Sequence, residues 1–119
     1  MEKERTVWLV YMLEMELSNG GFHQFFLNPS GNDWAETLEA LKRIGAARIS
    51  LMYHQALSVF PGCEPPKDHL ERTEQLSKIG EKAEAMLDEL TDEYYDLYRT
   101  EPSQDSYAKM AAYIQGEPP

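Results

Sequence analysis

Apolar residues recur along this chain at helical spacing, and no stretch alternates like a strand over more than four residues. Residues 3–18 are expected to form a first helix, with Val7, Leu9 or Val10, Tyr11, Leu13 and Leu17 inward. Asn19-Gly20-Gly21 should end it, because glycine accepts the left-handed conformation wanted at a helix C-terminus. Phe22, Phe25 and Phe26 then fall at i, i+3, i+4, a one-sided aromatic stripe on a short helix, before the turn cluster Asn28-Pro29-Ser30-Gly31-Asn32. Asp33 followed by Glu36 reads as an N-cap with its reciprocal acceptor. Trp34, Leu38, Leu41 and Ile44 mark the helix that follows, ending at Gly45.

The next helix is expected from about Ala46 to Phe60, with Ile49, Met52 or Tyr53, Ala56, Leu57 and Phe60 inward, and Pro61-Gly62 stops it. Pro66 suits the first position of a helix through Ile79. Leu76, Ile79, Ala83, Met86 or Leu87, Leu90, Tyr94 and Leu97 keep their phase across Gly80, so that glycine either breaks the helix or merely bends it. Pro102-Ser103 opens a last helix with Tyr107, Met110, Ala111 and Ile114 inward, closed by Gly116. No repeat, low-complexity tract or flexible linker divides the chain. The expected fold is all-α: one domain over residues 1–119, of five or six helices.

Length supports one core and no more: 119 residues, 42% of them hydrophobic, suffice for a single domain and are too apolar for a disordered acidic tail. The longest apolar run, Val7 to Leu13, is far short of the ~20 residues of a membrane span, and the mixed charges of Met1-Glu-Lys-Glu-Arg do not resemble a signal peptide. The single Cys63 excludes an internal disulfide and fits a reducing cytoplasm, the expected location. Charge adds more. The net charge is −10, divided as −2 over residues 1–60 (5 basic, 7 acidic) and −8 over residues 61–119 (6 basic, 14 acidic). Phosphate contact needs a basic footprint, so direct binding to nucleic acid or to an anionic membrane is not expected. A basic protein partner is, although the same excess of carboxylates also serves solubility.

Enzyme signatures are missing. Gly20-Gly21 lacks the lysine and hydroxyl residue of a phosphate-binding loop, and no serine sits in a nucleophile elbow. His23, His54 and His69 have no carboxylate or second histidine at metal-ligand spacing, and only the fold could unite them with Cys63 as a zinc site. No cofactor, no metal and no catalytic residue is expected. The strongest local signal is acidic: between Glu81 and Asp105 lie nine acidic residues against Lys82 and Arg99. On a helix, Ala83, Met86, Leu87, Leu90, Tyr94, Leu97 and Tyr98 fill one face. Glu81, Glu84, Asp88, Asp92 and Asp96 run along the opposite face, flanked by Glu89 and Glu93. Tyr95 falls among those carboxylates, where aromatics often anchor interfaces. A charge-rich outer face is equally what any amphipathic helix presents. Carboxylates four residues apart rise roughly 6 Å along the axis, against one charge per ~1.7 Å of duplex DNA, so one such stripe is too sparse to imitate a duplex. Several acidic helices side by side, or a homodimer, would be needed.

The segment Glu16-Leu-Ser-Asn-Gly-Gly-Phe-His-Gln-Phe-Phe-Leu-Asn-Pro-Ser-Gly31 resembles a known signature. Trp34-Ala-Glu-Thr-Leu-Glu-Ala-Leu-Lys-Arg-Ile-Gly-Ala46, Ala56-Leu-Ser-Val-Phe-Pro61 and Leu87-Asp-Glu-Leu…Tyr94-Tyr95 extend the match over roughly residues 10–115, loosely after Pro61. It is similar to a bacterial family of domains of unknown function typified by an acidic, dimeric DNA-mimic protein. The resemblance implies an all-helical fold and a role in occupying the DNA-binding surface of a transcription regulator; it brings no site residues with it. Two other classes stand beside it: an immunity- or antitoxin-type inhibitor of a basic toxin, and a small metal-dependent enzyme using the histidines. Read from the residues themselves, Phe22, Phe25, Phe26 and Trp34 form one aromatic core cluster, Gly20-Gly21 permit a tight helix approach, and His23 and Gln24 bond backbone at the turn.

Overall fold

The computed structural model describes residues 2–116. Six α-helices follow in order: α1 Glu2–Leu27, α2 Trp34–Arg43, α3 Ala47–Leu57, α4 His69–Leu76, α5 Glu81–Thr100 and α6 Ser106–Ile114, with short 3-10 turns at Pro29–Asp33, Pro61–Cys63 and Pro102–Gln104. No strand occurs among the described residues. Helix α1 is the axis of the molecule and packs on α2, α4, α5 and α6, while α3 closes the core against α2 and α5.

The first helix does not stop at Asn19. It runs on through Gly20 and kinks at Gly21 (φ 77°, ψ −166°), after which residues 22–27 resume the helix. The left-handed backbone needs glycine, and so does the packing: a Cβ at Gly21 would lie 2.6 Å from Thr91 Oγ1 on α5. The same hydroxyl accepts the Phe22 N–H at 3.1 Å, which satisfies a donor freed by the kink. Phe22, Phe25 and Phe26 are buried as expected. Phe25 meets Tyr53 (5.8 Å between centroids), and Phe26 meets Phe60 (5.0 Å), both edge-on. Trp34 is only half-buried; its Nε1–H donates to Pro65 O at 2.7 Å, which ties the Pro65-Pro66 loop to α2.

The turn after the kink is organised by two buried charged residues. Glu16 accepts from Ser30 Oγ (2.8 Å), Asn28 Nδ2 (3.2 Å) and Gln24 Nε2 (3.4 Å). Arg72 of α4 is fully buried and donates to four carbonyls: Phe26 (2.7 Å), Asn28 (2.9 Å), Pro66 (3.1 Å) and Lys67 (3.2 Å). It thereby caps the C-terminal end of α1, whose last carbonyls have no intrahelical partner. A Cβ at Gly31 would sit 2.7 Å from Phe25 O and 2.8 Å from Arg72 Nε, so only glycine fits there.

Several expected boundaries move. Asp33 makes no capping bond, because the 3-10 turn already leads helically into α2; Glu36 instead takes a two-pronged contact from Arg5 (3.1 and 3.2 Å). Helix α2 ends in a Schellman turn, with Ala46 N donating to Leu41 O and Gly45 N to Lys42 O. The third helix ends at Leu57, and Phe60 is buried from the turn beyond it. The helix expected from Pro66 begins at His69, where Asp68 is a true N-cap accepting from Glu71 N at 2.9 Å. Gly80 breaks the helix and does not bend it, at φ 89°. Of the positions assigned inward on α6 only Met110 is buried; Tyr107 and Ile114 are each 53% exposed and Ala111 is exposed, because α6 rests on α1 along a narrow edge. Tyr11 and Tyr98 are likewise outside the core.

Candidate functional site

Helix α5 carries the acidic face. Leu87, Leu90, Tyr94 and Leu97 are buried against the rest of the fold, which turns the opposite arc to solvent. Gly80 starts the helix free of α4, and Glu81 and Glu84 in its first turn complement the helix dipole. Its seven carboxylates lie along 20 residues, a length of roughly 30 Å, or one per ~4 Å.

The structure sorts those carboxylates. Glu84 lies 3.3 Å from His23 Nε2, and Asp96 lies 3.1 Å from Arg99 in the next turn. Glu81, Asp88, Glu89, Asp92 and Glu93 make no ion pair among the described residues, and all five are exposed. By contrast Arg5, Lys42, Arg43, Arg48, Lys78 and Arg99 each hold an acidic partner. Five exposed carboxylates without an ion pair among the described residues thus lie along α5, from its first residue to Glu93.

Tyr95 departs from the expected placement. Its ring is 47% exposed, yet the hydroxyl turns away from the carboxylates and donates to Leu17 O on α1. Burial, Glu14 and Asp92 raise its phenol pKa, in that order of weight. The ring stands at the seam between α5 and α1, one edge of the acidic face. His23 and Gln24 do not bond backbone as expected; each meets a carboxylate, Glu84 and Glu16. His69 Nε2–H donates to Leu27 O at 2.7 Å, and His54 is exposed. No group of three or more His, Cys, Asp or Glu able to hold a metal ion occurs among the described residues. No helix among them is long and apolar enough to cross a membrane.

One feature escaped the pattern of the sequence. Glu14, midway along α1, is 4% exposed, and its carboxylate accepts from Ser106 Oγ at the start of α6. Ser106 in turn lies 3.3 Å from the Tyr94 hydroxyl, which completes a relay Tyr94–Ser106–Glu14. Burial first, then the like charge of Asp105, raises the Glu14 carboxyl to about 7. Glu14 shares an arc of α1 with Val10, Leu13 and Leu17, and a lone acid on an apolar arc is the signal that marks it.

These elements define an acid-faced helical domain built around one kinked helix and a buried arginine. The chain belongs to the DMP19-like protein family, whose model matches residues 1–117. No curated protein and no solved structure matches the chain.

Proposed function

We propose that this chain is a non-catalytic, metal-free acidic binding protein, and that the face of α5 bearing Glu81, Glu84, Asp88, Asp92, Tyr95 and Asp96 contacts a basic protein surface. In the sense that the family suggests, it is a DNA mimic that occupies the DNA-binding surface of a transcription regulator. The observation that supports this most is the run of exposed, unpaired carboxylates at Glu81, Asp88, Glu89, Asp92 and Glu93, on a surface where most basic side chains already hold an acidic partner.

Charge density favours the same reading. One carboxylate per ~4 Å along α5 is close to the 3.4 Å per charge of a single DNA strand and half that of a duplex. Duplex mimicry then asks for a second acidic helix alongside, which a homodimer supplies; light scattering gives the mass that checks it. Replacing Asp88, Asp92 and Asp96 by Asn removes three charges and keeps the helix, and it releases Arg99 from Asp96. Binding to a captured partner should weaken steeply with salt and fall in this variant, mainly through the on-rate. An operator duplex should compete with the protein for a regulator; a partner bound to both at once refutes mimicry, and a basic toxin as sole partner favours the inhibitor reading. If the triple variant binds as well as wild type, the face is only solvated.

A further inference from the structure

At the end of the acidic face, where α1, α5 and the start of α6 meet, lies a pocket of about 210 Å³. Four of the chain's seven tyrosines line it, Tyr94, Tyr95, Tyr98 and Tyr107, together with Glu14, Asp105 and Ser18. No lining residue is basic. Two of the rings are fixed by their hydroxyls: Tyr95 to Leu17 O and Tyr94 to Ser106 Oγ. The same two rings stand near-perpendicular, at 70° with centroids 6.1 Å apart, as adjoining walls. Tyr98 (69% exposed) and Tyr107 (53%) stand at the mouth.

We propose that this pocket is a cage for an alkylammonium cation, with the four tyrosine rings as its walls and the Glu14 and Asp105 carboxylates as counter-charges. Aromatic faces attract an organic ammonium through the ring quadrupole, and desolvation inside a ring-lined site strengthens that attraction. A hard metal ion would ask for a tight set of oxygen ligands instead. The volume falls below the ~300–1,000 Å³ of pockets that take drug-sized ligands and suits a single head group. The charge of the site agrees: Glu14 is buried beside a second carboxylate, and an entering cation relieves that repulsion. Tyrosines with half their surface exposed, gathered at one mouth, are otherwise hard to reconcile with a purely solvated face. The inference deepens the reading of α5 as a partner-facing helix, since it gives the end of that helix a seat for a lysine side chain; a free quaternary amine carries the same chemistry.

The test is a titration followed by NMR of the tyrosine ring resonances, with tetramethylammonium chloride in one arm, Nα-acetyl-lysine amide in a second and sodium chloride at matched ionic strength in a third. Saturable shifts of Tyr98 and Tyr107 with either organic cation are expected. Tighter binding of the lysine amide assigns the cage to a protein side chain; tighter binding of tetramethylammonium assigns it to a free amine. Tyr98→Ala, a change at an exposed position, should weaken binding roughly fivefold. Glu14→Gln should weaken it at least as much at pH 8, with the protein folded. Asp88, Asp92 and Asp96 do not line the pocket, so the triple Asn variant should keep saturable shifts of Tyr98 and Tyr107, weakened by the lost nearby charge but less than in Tyr98→Ala; loss of partner binding and loss of the cage thus show separately. Shifts no larger than those from sodium chloride, or unchanged affinity in both pocket variants, overturn the proposal.

Discussion

Glu14→Gln should stabilise this protein above neutral pH and leave it unchanged in acid. The carboxyl is buried in the α1–α6 contact and faces Asp105, and those two effects raise it from 4.5 to about 7. A group whose folded pKa is raised binds its proton more tightly in the native state. The resulting stability is fully present below the unfolded pKa, near 4.5, and is lost as pH rises through about 7. Integrated over that window the loss is roughly 3 kcal/mol, at about 1.4 kcal/mol for each pH unit. The N-terminal dipole of α6 opposes it by up to ~1 kcal/mol, since it favours ionised Glu14. Gln has the shape of the protonated acid, still accepts from Ser106 and cannot ionise. Subtracting the variant from wild type removes the titration of the distant carboxylates and leaves Glu14 with its neighbour Asp105. The two proteins should therefore melt together at pH 4, diverge between pH 5 and 7, and differ by roughly 2–3 kcal/mol at pH 8, a gap on the order of 10 °C in Tm with the variant higher. Thermal unfolding by circular dichroism across that range is the assay. A variant that tracks wild type at every pH, or is the less stable at pH 8, refutes a strained buried carboxylate.

Two further outcomes test the architecture. Phe26→Ala should cost about 3–5 kcal/mol by chemical denaturation, because the ring is fully buried against Phe25 and Phe60; a loss near ~1 kcal/mol would mean that the ring does not fill the core. Gly21→Ala and Gly80→Ala both place a Cβ on left-handed backbone, yet only the first meets atoms, Thr91 Oγ1 at 2.6 Å, while the second points into open space. Gly80→Ala should cost ~1–3 kcal/mol and Gly21→Ala a further ~1–3 kcal/mol, and equal losses would show that the α1–α5 approach is looser than described.

The six helices were legible because their inner faces repeat at helical spacing over several turns. The cores of α2, α3 and α5 accordingly follow from the spacing almost residue by residue, from Leu38 and Ile49 to Leu97. What the period cannot see is a change of axis that preserves phase. Leu76, Ile79 and Ala83 keep step across Gly80, and the break lies in one backbone angle. Gly21 shows the opposite case: the double glycine looked like a stop, but Thr91, seventy residues away, accepts the freed N–H and lets the chain resume as helix in a new direction. Amphipathic spacing also overstated α6, because a helix lying along one edge of α1 buries Met110 and leaves Tyr107 and Ile114 outside. Arg72 had no sequence signal at all. A buried guanidinium is explained only by four carbonyls that the fold collects from the end of α1 with its following turn and from the loop before α4. The spacing of the α5 carboxylates implies one solvent-facing arc of a helix, whereas the pocket at its end has no sequence signature, since Glu14, Tyr98 and Tyr107 come from three different helices.

The glycines and phenylalanines of the Asn19–Gly31 stretch thus act on the acidic helix at a distance. Gly21 admits Thr91, Phe22 is tied to it through the backbone, and Arg72 locks the turn that follows, so this stretch fixes where α5 lies relative to α1. All of these contacts use the inner side of α5. Glu81, Asp88, Glu89, Asp92 and Glu93 take no part in them, and changing their charge should leave the scaffold intact. A chain built this way can hold its fold while the chemistry of its outer face is retuned from one partner to another.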